Sequence, residues 1–171
     1  WQSGEYRPQV RPVATIARAV EHAVYDYRRE RFQLDQILLH GIAGALVFLL
    51  LQRWLRSRVA GVLGGALFVA HPGASQSVLY LGGLSEILST IFFLGCLLAL
   101  PVPGESGPPG RAPAYGTRAV WIAVLSALSM LSKEIGFVLP VVVGLMMLDP
   151  RFDRGERKRL YTAVAVGAAF A

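Results

Sequence analysis

A handful of side chains suited to holding or moving charge stand at intervals along an otherwise greasy chain: Tyr6 and Arg7, His71 and Gln76, Glu86, and the adjacent Lys133 and Glu134. Arginine offers a phosphate a bidentate fork and lysine a point charge, so Arg7 and Lys133 are the candidate ligands of a phosphate head. His71, Gln76, Glu86, Glu134 and Tyr6 suit supporting roles, orienting a polar substrate or fixing turns. Each also has an ordinary reading. Arg7 fits a solvated loop, His71 before Pro72 a helix-end hydrogen-bonding residue, and Glu86 a helix first turn, where the macrodipole favours an anion. Lys133 and Glu134 are neighbours and cannot pair along one helix face, which fits a solvated or topogenic turn. His22 and His40 read as structural. No two histidines have metal-ligand spacing on one helix, so no catalytic metal is expected. Cys96 is the one cysteine, which excludes an intrachain disulfide.

The elements that must position these residues are apolar. Hydrophobic residues make up 54% of the 171 and charged residues 16%, against about 25% charged in soluble domains, and the mean hydropathy is +0.48. The runs 37–51, 59–70, 87–102, 119–131, 135–148 and 162–171 are nearly free of charge. A spanning helix wants about 20 apolar residues, and several runs are shorter. Their near lack of a polar stripe at helical spacing nonetheless argues against the outer faces of a soluble fold. The expectation is an all-α, polytopic transmembrane helix bundle of about six spans over 34–171, the last cut short. Residues 1–33 precede it as an extracytoplasmic segment. Because the chain opens at Trp1 and stops inside an apolar run, it is expected to be a piece of a longer protein.

The net charge of +6 does not point to nucleic acid, because the basic residues follow the run boundaries. Arg53, Arg56 and Arg58 lie after the first run, Arg111 and Arg118 after the third, and Arg151, Arg154, Arg157, Lys158 and Arg159 after the fifth. The positive-inside rule makes these loops cytoplasmic, so 71–85 and 132–134 face the other side. In the N-terminal segment Val13, Ile16, Ala17, Val20, Val24 and Tyr27 recur at three and four, which predicts an amphipathic helix lying on the outer surface. The proline- and glycine-rich stretch 101–118 reads as a flexible cytoplasmic connector.

Two polar turns carry the candidate residues. His71-Pro72 ends the second span near Ala70, since proline biases its predecessor away from helix. Gly82 and Gly83 allow a tight backbone, and Ser85 is expected to cap the third helix with Glu86 in its first turn. At "LSKEIG" a sharp turn is favoured over one 30-residue helix. That helix would bury Lys133 and Glu134 mid-bilayer, at roughly 2.5–3.5 kcal/mol per ion.

The stretch "YRPQVRPVATIARAVEHAVYD", then "LDQILLHGIAGALVFLLLQRWL", "LFVAHPGASQSVLYLGGLSEILSTIFFLGCLLAL" and "LSMLSKEIGFVLP", in that order, resembles the transmembrane and tetratricopeptide-repeat O-mannosyltransferases. These belong to the GT-C class of membrane glycosyltransferases. The resemblance covers Tyr6 to about Tyr161. It implies a GT-C-like bundle that moves a sugar, often mannose, from a polyprenyl or dolichyl phosphate donor to an acceptor hydroxyl, on protein or elsewhere, at the extracytoplasmic face. No further cofactor is implied, and the setting is a bacterial inner membrane or an endoplasmic reticulum. The catalytic acid of such enzymes would lie upstream of Trp1. His71, Pro72, Gly82, Glu86, Lys133 and Glu134 match the pattern. Gln76 stands where the family usually has an acid, and Leu84 where it has an arginine, so a divergent or inactive member is an alternative, as is a non-catalytic scaffold or assembly subunit of the same fold. A transporter, which wants broken helices with polar groups at mid-bilayer, fits least.

Overall fold

The computed structural model describes residues 11–25, 28–102, 115–146, 148–149 and 154–171, and among them the chain is helical without strands. The helices are α1 (Pro12–Tyr25), α2 (Arg29–Leu55), α3 (Arg58–Ala70), α4 (Ala74–Leu79), α5 (Leu84–Ala99), α6 (Tyr115–Ser132), α7 (Leu139–Met146) and α8 (Arg154–Ala169). Single 3₁₀ stretches at Leu81–Gly83 and Glu134–Val138 lead into α5 and α7. The all-α expectation holds. Among the described residues one helix, Glu30–Leu55, is long and apolar enough to cross a membrane, and four apolar helices are shorter.

The first hairpin follows from local chemistry. Leucine-rich α2 runs for 27 residues and stops at Arg56, whose φ of 50° puts it in the left-handed region. Ser57 then caps α3 by accepting the Ala60 N–H at 3.2 Å. Small residues let α2 and α3 approach. A Cβ on Gly61 would sit 2.8 Å from the Phe48 carbonyl oxygen, and one on Gly65 3.0 Å from that of Gly44. Gly61 and Gly65 are four apart on one face, the spacing that allows close helix crossing.

α5 packs between α2 and α6, and α6 between α5 and α8. Their shared core contains Cys96, Leu100, Ile122, Leu139, Val143 and Val164. Serines join this interior. Ser89 of α5 and Ser129 of α6 each donate to the other's backbone carbonyl at 3.0 Å, and Ser126 and Ser132 are fully buried beside them. Meanwhile Ile37, Leu38 and Ile42 of α2 and Val59, Leu63 and Leu67 of α3 are exposed. Buried serines thus share the interior with aliphatic side chains, while large aliphatic groups also cover much of the outside.

Several local expectations are corrected. Ser85 does not cap α5. Gly83 takes that position, because its Cα lies so close to Ser77 that an added Cβ would fall 1.9 Å from the Ser77 carbonyl oxygen. Ser85 lies two residues further in, buried, within the first turn. The segment 71–85 is not a plain turn, since it folds α4 and a 3₁₀ turn. The basic run Arg157 to Arg159 is not a loop either, since it forms the first turns of α8, as good helix formers can. The fifth apolar run starts as 3₁₀ helix and becomes the eight-residue α7, with Pro140 in its first turn, where the missing N–H costs nothing. The break at "LSKEIG" stands: α6 ends at Ser132, and Lys133 is extended at φ −161°, ψ 151°. The end of the second apolar helix at Ala70 also stands.

Candidate functional site

The polar residues collect where α1, α4 and α5 meet the turn after α6. Glu86 lies in the first turn of α5, ahead of the apolar run 87–102. Its Oε1 pairs with the Lys133 ammonium, and its Oε2 accepts from the Ser77 hydroxyl. These two partners, the ammonium first, hold the Glu86 carboxyl below the usual carboxylate range. One residue along, Glu134 takes a fork from Arg11, whose Nη2 lies 3.2 Å from Oε1 and 3.1 Å from Oε2. Glu134 is also held low, first by its own backbone N–H and then, against some burial, by this guanidinium. Arg11 Nη1 donates to Ser85 Oγ at 3.2 Å. The network therefore ties the start of α1, the start of α5 and the turn after α6 into one unit.

Beside this network lies a cavity of about 470 Å³ between α2, α3, α4 and α5. Its apolar wall includes Val47, Leu67, Phe68 and Ile87, and its polar groups are His40, His71, Ser77, Glu86 and Thr90. His40 stacks on Phe68 with centroids 5.1 Å apart, and its buried Nε2 has no hydrogen-bond partner among the described residues. Such a cavity, apolar with a few polar groups converging, suits an amphiphilic ligand with hydroxyls at one end.

The sequence candidates divide accordingly. Glu86, Lys133 and Glu134 come together. His71 lines the cavity and also serves the helix end, its Nδ1 accepting the Gly73 N–H at 3.1 Å. Gln76 is exposed and is not among the residues lining the cavity. Tyr6 and Arg7 lie outside the described residues. Arg11, Ser77, Thr90 and His40 were not singled out as site residues. For Arg11 a signal existed: "YRPQVRP" contains two Arg-Pro pairs, and the second is equivalent in kind to the first. For Thr90 it was the four-residue spacing from Glu86, on whose carbonyl its hydroxyl bonds at 2.8 Å. His40, an isolated histidine in an apolar helix, gave none. Among the described residues no group of three metal-ligating side chains gathers.

α1 forms as expected from its periodicity, and Ile16, Val20 and Val24 make an exposed apolar stripe along it. Its polar side faces inward, with Glu21 buried and bonded by Arg18 at 2.7 Å.

Compared with known proteins, 63 residues of the chain are 35% identical to protein O-mannosyl-transferase Tmtc1 of Drosophila melanogaster. The matched stretch is 37% of this chain and 7% of that protein. No family model matches the chain, and no solved structure matches it.

Proposed function

We propose that this chain is a segment of an integral-membrane glycosyltransferase. It moves a sugar, mannose in the first instance, from a polyprenyl-phosphate donor to an acceptor hydroxyl at the extracytoplasmic face. The observation that carries this reading is the Glu86–Lys133 pair standing on the rim of an amphiphilic cavity. The serine seam between α5 and α6 and the glycine contacts between α2 and α3 support a polytopic bundle in lipid, where small and polar residues form helix interfaces. The likeness to an O-mannosyltransferase supports the chemistry.

In this reading the donor's phosphate meets Lys133. An ammonium carries three N–H donors, and Glu86 takes one, so the lysine bonds a phosphate oxygen without giving up its carboxylate. Arg7 is the second proposed phosphate ligand. As the bond from the anomeric carbon to the phosphate oxygen breaks, negative charge grows on the phosphate, and a fixed cation stabilises it more in the transition state than before. His40 Nε2, His71 and Thr90, which line the cavity, are available to sugar hydroxyls, and Gln76, exposed on α4, keeps at most an outer supporting role. The base that takes the acceptor's proton is proposed to come from chain outside residues 1–171. The acceptor oxygen then forms its bond to the anomeric carbon with inversion.

The test is transfer of mannose from polyprenyl-phosphate mannose by the full-length, membrane-inserted protein. Lys133→Ala is expected to abolish transfer while the protein still inserts. Wild-type turnover in that variant removes Lys133 from the chemistry.

A non-catalytic scaffold is the second reading, and one observation favours it. Both described cations of the cluster, Arg11 and Lys133, already hold carboxylates, as a purely structural clasp would. Full-length protein that retains the clasp but transfers no sugar in any donor and acceptor combination supports the scaffold.

A further inference from the structure

At the far end of α6 from Lys133, α6 and α8 leave between them a groove of about 590 Å³. Arg118 and Ser132 lie 14 residues apart on α6, roughly 21 Å at the helical rise. The groove floor is aliphatic, with Val120, Ala123, Ala163 and Val166; Arg118 and Lys158 stand at its edge, and Arg159, which is already engaged, also lines it. Neither of these two cations pairs with a carboxylate among the described residues.

From this we infer that the groove is a binding site for an anionic glycerophospholipid, with an acyl chain along the floor and the phosphate between Arg118 and Lys158. Three occupants compete, and charge decides among them. A further apolar helix laid in the groove would cover two cations and give them no counter-charge, at a cost. A soluble anion would satisfy the cations and make no use of the floor. An anionic lipid answers both, and a basic site between helices at a membrane boundary is where such headgroups are held. Long basic side chains at helix ends also reach the headgroup level while their stems stay in apolar surroundings.

The inference rests on the membrane reading above, and the two fail differently. Full-length protein that alkaline carbonate strips from membranes sinks both. Protein that stays in the membrane is extracted in detergent and offered phosphatidylglycerol or phosphatidylcholine, and the lipid retained is counted by native mass spectrometry. Wild type is expected to prefer phosphatidylglycerol by on the order of tenfold, from two basic groups acting on one anionic head. R118Q/K158Q is expected to lose that preference, and R118K/K158R to keep it. V120W fills the floor, leaves the cations in place and is expected to lower phosphatidylglycerol retention. Undiminished preference in R118Q/K158Q, or undiminished retention in V120W, overturns the groove while leaving the transfer reading intact.

Discussion

Replacing Gly136 by alanine tests whether the turn bearing Lys133 and Glu134 is clamped to α6. Gly136 is buried in the 3₁₀ stretch Glu134–Val138, and a Cβ there would lie 2.6 Å from Met130 N, Ser129 C and Ser129 O. All three are backbone atoms of a helix, so no side chain can swing aside. Restoring ordinary contact at 3.4 Å requires the turn and α6 to part by about 0.8 Å. Overpacking of this kind costs roughly 1–3 kcal/mol, which for a chain of this length lowers Tm by about 2–4 °C per kcal/mol. Gly41→Ala is the control: nothing lies within 4 Å of its Cβ, and mid-helix alanine is favoured over glycine by up to about 1 kcal/mol. Thermal unfolding of both variants in the same detergent, followed by circular dichroism, should separate them in opposite directions. A Gly136→Ala Tm no lower than that of Gly41→Ala would mean that the turn does not lie against α6, and the geometry of the polar cluster would fall with it.

A double-mutant cycle of Glu86→Gln and Lys133→Met should yield a coupling of about 1 kcal/mol, at the upper end for part-exposed pairs, because the side chains are 43% and 23% exposed; additive effects would deny the pair. Glu86 and Glu134 have folded-state carboxyls held below the ordinary 4.5, so their stabilisation is present above that value and lost as pH falls through the folded pKa. Tm should therefore drop on acidification below about pH 4.5, and less steeply in Glu86→Gln; an identical acid slope in that variant counts against the assignment. Gly61→Leu, set against the Phe48 carbonyl and ring at 2.8 and 2.9 Å, should part α2 from α3 and cost about 1–3 kcal/mol, measured as a Tm loss larger than that of Val62→Leu on the exposed side.

What the sequence made legible was decided mostly by punctuation. Pro72 marks the end of α3, and the charge pair Lys133-Glu134 marks the break after α6, because each removes one way of continuing a helix. Apolar runs located α2, α3, α5 and α6 while misjudging their ends: α2 reaches back to Arg29 and α8 to Arg154, since arginine, lysine and glutamate are good helix formers that carry no apolar signal. The cap of α5 was misplaced because the contact between Gly83 and Ser77 is tertiary. Of the site, the residues with formal charge were visible, but their pairings were not. That Lys133 meets Glu86, 47 positions away, and that Arg11 meets Glu134, 123 positions away, depends on how α1, α5 and α6 assemble. The inward row Ser126, Ser129 and Ser132 recurs at three in the sequence, yet only the packing of α5 on α6 tells that it is a seam.

The shortness of the helices and the matching of charges in the cluster bear on each other. At 1.5 Å per residue α3 is ~20 Å long and α5 ~24 Å, against a hydrocarbon core of ~30 Å. In the proposed bilayer setting, α3 and α5 leave their shared end, with α4 and the 3₁₀ turn, below the level of bulk water. Irregular backbone and ionisable groups are tolerated at such depth only where they are buried in protein or line a cavity. Glu86 meets that condition by lining the cavity, and the charges of the cluster are matched among themselves, since Glu86 holds Lys133 and Ser77 and Glu134 holds Arg11. Its net charge is zero before any ligand arrives. A phosphate drawn into it makes the site anionic unless a further cation comes too, which is the role reserved above for Arg7. Lys133→Ala and Arg7→Ala should therefore differ: the first leaves Glu86 unpaired and lowers both stability and transfer, whereas the second should lower donor affinity, read as a raised KM, with Tm unchanged.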